Sequence, residues 1–392
     1  MIPRQLSEKL VKTAEGFPVI CLTGPRQSGK TTLVKSVFAD YAYASLENID
    51  IMMTAKEDPR RFLTSNQARG LIIDEAQRAP ELFSYLQEVV DSSGEMGKYV
   101  LTGSQNFLLL EKITQSLAGR AAILHLLPFS ASEIDNAALL GSTLDQVLFK
   151  GMYPPVFDRP VPPPDFYLSY IETYLERDVR SMKNIGDLAL FRKFVLLCAG
   201  RVGQLLNLTS LGNEVGVDHK TIRSWLSVLE ASFVVFMLRP YHRNWNKRIV
   251  KQPKLYFYDT GLLCSLLGLR TATDLTTHHL RGNIYEDYVI SEYIKQQYHT
   301  GNRPSAYFWR DHSGHEVDLL IEEGESIKAV EIKSGETLND DMFNGLRWFR
   351  EQTGIASEDC LLVYGGREAL TRSAGRVIPW NKAHELDALD GS

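Results

Sequence analysis

Cysteine is scarce in these 392 residues. Cys21, Cys198, Cys264 and Cys360 are scattered among apolar neighbours, and no two are spaced as C-x-x-C. That pattern supports neither a disulfide framework nor a zinc site, and it fits a reducing cytoplasm. Long hydrophobic runs are missing too: no stretch approaches the length of a bilayer span, and the start at Met1 has no apolar signal core, so no membrane association is expected. Internal repeats and low-complexity tracts are absent, which excludes a repeat array. Charge of one sign is also slight, with 43 Lys and Arg against 48 Asp and Glu and a net charge of −5. With 44% apolar residues, a chain of this length has material for two or three domains.

The most informative stretch is Gly24-Pro25-Arg26-Gln27-Ser28-Gly29-Lys30-Thr31, which fits G-x-x-x-x-G-K-[ST]. Apolar Val19 to Leu22 precedes it as a buried strand, and Leu33, Val37 and Phe38 come after it at helical spacing. That context lets backbone N–H groups at a helix start wrap phosphates. Gly24, Pro25, Arg26, Gln27, Ser28, Gly29, Lys30, Thr31 and Thr32 therefore form the expected nucleotide site. Lys30 would reach the β/γ-phosphates and the Thr31 hydroxyl would ligate Mg²⁺. The competing reading is a glycine-rich turn that matches by chance.

Leu71-Ile72-Ile73-Asp74-Glu75 is a strand ending in two acids. Asp74 would hold the Mg²⁺ shell and Glu75 would activate the attacking water, although a strand-end acidic pair is otherwise commonly just solvated. A third strand, Tyr99 to Thr102, leads into Gly103-Ser104-Gln105-Asn106, whose polar side chains would sense the γ-phosphate, Ser104 first among them. In this order the segments GPRQSGKT, LIIDEAQ and LTGSQN resemble the Walker A, Walker B and sensor 1 motifs of AAA+ ATPases. The resemblance implies ATP and Mg²⁺ as cofactors. It also implies a finger arginine acting on a neighbouring copy in a homo-oligomer, for which Arg120 in Ala118-Gly119-Arg120 is the positional candidate. A surface salt bridge is the alternative for Arg120. Arg177 and Arg180 are the candidates for a second sensor, against a simple charged helix face.

The proline-rich stretch 151–164 reads as a linker, since its proline density excludes helix and interior strand. It separates an ATPase domain, 1–150, from the remainder of the chain. Residues 165–270 read as a helical and winged-helix-like domain. Leu208 to Val215 forms a first helix capped by Thr209 or Ser210, Gly216 makes the turn, and Asp218 caps a second helix through Thr221, Ile222, Trp225 and Leu229. The second helix, carrying Lys220 and Arg223, would be the reader. Ser232 to Leu238 and Lys254 to Tyr258 are strand-like. Between them Arg239, Arg243, Lys247, Arg248, Lys251 and Lys254 occur without an acid, beside Tyr241 and Trp245. Such local charge reversal points to phosphates. Packing modules and solvated basic loops share these features.

Residues 271–390 hold a second constellation. Ser313 to Glu322 and Lys328 to Ser334 are strand-like, and a two-residue Gly324-Glu325 turn of type II′ would set Asp318 directly opposite Glu331. Two carboxylates about 4.5–5.5 Å apart at Cβ repel unless a cation lies between them. Lys333 shares their face. Glu286, at helical spacing with Val289, Ile290 and Tyr293, places a third carboxylate on an apolar stripe, where it needs a partner. Together Glu286, Asp318, Glu331 and Lys333 resemble the PD-(D/E)xK restriction-endonuclease-like superfamily, with Val317 in place of the name-giving proline. That likeness implies Mg²⁺ held by Glu286, Asp318 and Glu331, with Lys333 assisting water. The plain alternative is a surface charge ladder. The whole order resembles prokaryotic AAA-family ATPases carrying a C-terminal domain of unknown function.

The sequence thus predicts an α/β protein: an N-terminal P-loop AAA+ type ATPase domain, a helical and winged-helix-like middle, and a C-terminal restriction-endonuclease-like α/β domain. The expected function couples nucleotide state to nucleic-acid engagement, DNA for preference, with a Mg²⁺-dependent nuclease at the end of the chain. A catalytically inactive scaffold and a protein-remodelling ATPase are the alternatives.

Overall fold

Short strands that are apolar along their whole length favour a parallel sheet covered by helices on both faces. Among the described residues, the first third of the chain has five strands: β1 Val19–Thr23, β2 Ala42–Ser45, β3 Leu71–Asp74, β4 Tyr99–Thr102 and β5 Ala121–His125. Every residue of β1, β3 and β4 is buried, whereas β2 and β5 are partly exposed. A computed structural model of the chain describes residues 2–65, 68–103, 109, 113, 115–175, 187–241 and 251–386. In it these strands pair in parallel in the order β2-β3-β4-β1-β5, with the exposed ones at the edges. Because side chains alternate along a strand, Val19, Cys21, Ile73 and Leu101 enter one core with Phe83 and Leu86. Ile20, Leu22, Ile72 and Val100 enter the other with Leu6, Leu10 and Leu33. The in-step register aligns the strand ends, so Ser45 lies beside Asp74, Leu22 beside Thr102, and Thr23 beside His125.

This sheet belongs to one of two compact units, residues 1–129 with 231–233 and 297–302. The other comprises 130–230, 234–296 and 303–392. Its sheet has eight strands: β6 Val235–Pro240, β7 Lys254–Phe257, β8 Ala306–Arg310, β9 Glu316–Glu323, β10 Ser326–Lys333, β11 Cys360–Tyr364, β12 Leu370–Arg372 and β13 Gly375–Pro379. They run in the order β12-β13-β11-β10-β9-β8-β6-β7. Helix Asn344–Thr353 connects β10 to the parallel β11 and buries Leu346 and Phe349 against Val317, Ala329 and Leu362.

Stretch 151–164 departs from the expected linker. It contains the starts of helices Pro155–Asp158 and Pro163–Tyr170, because proline with its fixed φ suits the first helical turn, where its missing N–H is not needed. Residues 151–156 are buried. Helices Leu208–Val215 and His219–Ala231 are joined through Gly216 at φ 99°. Asp218 caps the second helix by accepting from Lys220 and Thr221 N–H. The first is capped by Asn207 rather than by Thr209 or Ser210. Trp225 packs against Phe191 and Phe194 beneath this helix pair. Strands β6 and β7 do form an antiparallel pair, but β6 also pairs with β8, so the hairpin is part of the large sheet.

Candidate nucleotide site and carboxylate cluster

The loop between β1 and helix Lys30–Val37 takes its path from three residues at positive φ, Gly24 at 148°, Gln27 at 61° and Gly29 at 93°. At Gly24 a Cβ would stand 2.1 Å from the Leu126 carbonyl oxygen, so only glycine fits. Lys30 Nζ donates to the Gly24 and Pro25 carbonyls at 2.9 and 2.7 Å. Its ammonium therefore lies across the loop. Ser28 Oγ is buried with no partner among the described residues. Arg4, which sequence reasoning did not single out, braces this loop: its guanidinium donates to Ser28 O at 2.7 Å and Leu127 O at 2.6 Å and lies over Phe129. No local pattern marks an arginine whose partners are backbone carbonyls far along the chain.

Asp74 ends β3 and draws three hydroxyls together. Thr31 Oγ1 and Tyr43 OH donate to its Oδ2 at 2.9 and 2.7 Å, and Thr102 Oγ1 donates to Oδ1. Burial, with the Asp74 carboxylate as acceptor, pushes the Tyr43 phenol well above its ordinary value. Glu75 comes next in a left-handed conformation, φ 56° and ψ 42°. A non-glycine residue held there is strained, a condition that concentrates at functional sites. The Gln77 amide donates to the Glu75 carboxylate. At the neighbouring strand end Thr23 Oγ1 lies 2.6 Å from His125 Nδ1. The hard oxygens of Thr31 and Asp74, the Lys30 ammonium and the glycine cradle suit a Mg²⁺ nucleotide.

One expected ATPase residue lies elsewhere. Arg120 sits where β5 begins, its carbonyl accepting from Val19 N–H, at the opposite end of the sheet from its own phosphate loop. Its guanidinium grips the Asp91 carboxylate at 2.5 and 2.8 Å. Ser104, Gln105 and Asn106 lie outside the described residues, as do Arg177 and Arg180.

In the second unit, the β9–β10 hairpin turns at Gly324, φ 63°, and pairs Ser326 with Glu323 through Val330 with Leu319. Continued one step, that register sets Glu331 opposite Asp318. Lys333 Nζ bridges them, 2.5 Å from Glu331 Oε1 and 3.6 Å from Asp318 Oδ2, and Asp318 Oδ2 also accepts from Ile332 N–H at 2.8 Å. Burial and the adjacent Asp318 charge lift the Glu331 carboxyl to about 8. Burial works against the Lys333 ammonium, but Asp318 and Glu331 outweigh it and hold the group charged. Glu331 Oε2 is buried without a partner among the described residues.

Glu286 joins from helix Arg281–His299, accepting from Tyr256 OH and from Lys254 Nζ, the latter at 2.9 Å. Glu316, two residues before Asp318 on the same face of β9, was not anticipated. It touches Lys254 Nζ and takes Arg310 Nη1 at 3.0 Å. Among the described residues, Glu286, Glu316 and Asp318 can bring one oxygen each within 4.8 Å of one another. The expected trio was Glu286, Asp318 and Glu331; in the group within 4.8 Å, Glu316 stands where Glu331 was expected. Lys254 is corrected as well. Counted with the phosphate-facing basic run, it is 2% exposed and paired with carboxylates. Lys220, Arg223 and Lys251 are exposed. Arg243, Lys247 and Arg248 lie outside the described residues.

No helix among the described residues is long and apolar enough to cross a membrane. A family model described as AAA domain matches residues 16–135. Two models described as domains of unknown function, DUF8612 and DUF4143, match 141–273 and 281–383. The uncharacterized proteins Rv2008c of Mycobacterium tuberculosis and Mb2031c of Mycobacterium bovis are each 32% identical over 339 residues, spanning 85% of this chain and 74% of theirs. A solved Walker-type ATPase of Pyrococcus abyssi is similar at 15% identity and a TM-score of 0.41, over 68% of this chain and 96% of that one. The motif geometry, the AAA match and the mycobacterial relatives lead to one conclusion: this chain belongs to the family of those mycobacterial proteins, and its first domain is an AAA-type P-loop ATPase.

Proposed function

We propose that ATP binding and hydrolysis at the first unit governs engagement of nucleic acid, DNA for preference, by the C-terminal half, and that the carboxylate cluster cleaves phosphodiesters. At the first site Lys30 binds phosphate oxygens, Thr31 and Asp74 are the residues that would hold Mg²⁺, and Glu75 orients and deprotonates water. Arg120, paired to Asp91 at the far end of the sheet, would act on a neighbouring copy rather than on its own nucleotide, which makes a homo-oligomer part of the proposal. The exposed Lys220 and Arg223 on the second helix of the pair, with Lys251, Arg243, Lys247 and Arg248, would supply phosphate contacts.

The observation that carries the nuclease reading is Glu331. It is buried, faces Asp318 across the hairpin, and keeps one carboxylate oxygen without a donor among the described residues. Four carboxylates, Glu286, Glu316, Asp318 and Glu331, converge on the cations Lys254, Lys333 and Arg310, so a dense set of carboxylate oxygens is gathered at one place. Hard oxygen donors of this kind fit Mg²⁺. Glu286, Glu316 and Asp318 would hold it, with Glu331 beside them, and a bound ion would supply charge neutralisation to a phosphodiester. Lys333 orients water and stabilises developing negative charge. Lys333→Ala should abolish Mg²⁺-dependent DNA cleavage and leave ATP turnover unchanged. Persisting cleavage in that variant would remove the site from the reading, and absence of cleavage by the wild type with any divalent ion or nucleotide would favour an inactive scaffold.

A further inference from the structure

The carboxylate cluster already contains a cation of the chain's own. Lys254, the first residue of β7, is almost wholly buried. Its ammonium lies 2.9 Å from Glu286 Oε1 and touches Glu316 Oε1, with the Phe308 ring centre 5.5 Å away. Burial alone would strip the proton from such a lysine. Here the charges of Glu286, Asp318 and Glu316 overcome burial and keep it charged. These are the same three carboxylates whose oxygens come within 4.8 Å of one another. One set of ligands therefore faces two claimants.

We propose that Lys254 is a tethered counter-ion that competes with a divalent cation for the oxygens of Glu286, Glu316 and Asp318, so that metal enters this site only as the ammonium leaves. The inference rests on the phosphodiester reading above and adds a control to it. With the ammonium in place the cluster is partly neutralised and stable without metal. Glu316 remains tied to Arg310 through its other oxygen, and Asp318 to Ile332 N–H and Lys333. These ties hold the ligands in position when Lys254 withdraws. A divalent ion must therefore offset both its own dehydration and the loss of two charge-assisted hydrogen bonds, which weakens its binding.

The test titrates the full chain with Mn²⁺ in the absence of nucleotide, reading affinity by calorimetry and by water-proton relaxation. Wild type is compared with Lys254→Met, Lys254→Gln and Lys254→Arg, each measured both with and without Asp318→Asn as a control for binding elsewhere. The two neutral variants should bind Mn²⁺ at least about tenfold more tightly than wild type, through a site lost with Asp318→Asn, since loss of one charged hydrogen bond is worth that much. Lys254→Arg, which keeps the charge, should bind no more tightly than wild type. Should the neutral variants fold poorly without metal, the larger rise in their melting temperature on adding Mn²⁺ gives the same comparison. Equal, Asp318-dependent affinity in wild type and neutral variants would overturn the competition and leave the phosphodiester reading standing. No Asp318-dependent binding in any of these proteins would overturn the metal reading and the competition with it.

Discussion

Thr31 Oγ1 donates to Asp74 Oδ2 across 2.9 Å, tying the phosphate-binding loop to the end of β3. Strand β4 lies between β1 and β3 in the sheet, and Thr102 at its end donates to the other Asp74 oxygen. Loop, acid and intervening strand are thus tied together by hydrogen bonds, with Glu75 held in its left-handed conformation next to them.

That arrangement separates binding from chemistry. Lys30→Ala removes a charged donor from the phosphates and should weaken ATP binding by roughly tenfold to a hundredfold. Glu75→Gln should bind ATP as wild type does and hydrolyse it about a hundredfold more slowly, because only the water-activating step is lost. Nucleotide binding by fluorescence and phosphate release by a coupled assay distinguish the two. Comparable turnover in Glu75→Gln and wild type contradicts the role given to Glu75.

Arg120 gives a second expectation. If it acts across a subunit boundary, mixing Arg120→Ala with Lys30→Ala protein should restore part of the ATP turnover that each lacks, since some interfaces then pair an intact loop with an intact arginine. Sedimentation should show the mixed assembly. An intact assembly without rescue returns Arg120 to its pair with Asp91.

Lys220→Ala with Arg223→Ala should weaken DNA binding and lower the slope of log K against log salt by about two, close to one unit for each phosphate neutralised by these side chains. Replacing Arg243, Lys247 and Arg248 should lower it further. Sequence preference should stay the same. An unchanged slope in fluorescence-anisotropy titrations means that these side chains do not meet phosphates.

Glu331 makes stability depend on pH. Its carboxyl, raised by burial and by Asp318 to about 8, keeps a proton in the folded state that the unfolded chain releases near about pH 4.3. The stabilisation from that proton is complete below the unfolded value and is lost as pH rises through about 8. Glu331→Gln is neutral throughout and should remove this part of the pH dependence. Urea unfolding with a chelator present, at about pH 5 and about pH 8, should show wild type losing more stability than the variant between the two conditions. Parallel losses contradict the assignment.

Local pattern made part of this molecule legible in its sequence. The glycines and lysine of the phosphate loop announce themselves because the phosphate chemistry needs them at fixed spacing. The hairpin register came from a two-residue turn, and it brought Asp318 and Glu331 face to face. Glu316 has the right period, two residues from Asp318 along a strand, but an acid at the start of a strand carries no mark that separates a ligand from a solvated charge. Lys254 and Arg4 were not legible. Their partners come from distant strands and loops, and nothing in a basic stretch tells a buried counter-ion from a solvated lysine. Pro155 and Pro163 mislead for a related reason, since proline both ends helices and begins them.

Dependence of DNA affinity on the nucleotide held at the first unit tests the central claim most directly. Glu75→Gln protein, saturated in turn with ATP and Mg²⁺, with ADP and Mg²⁺, and with no nucleotide, is titrated with labelled single- and double-stranded DNA. Affinity in the ATP state should differ from the other two by about tenfold or more, within the range of a typical allosteric coupling, and Lys30→Ala should show no such difference. Identical affinities in all three nucleotide states would contradict it.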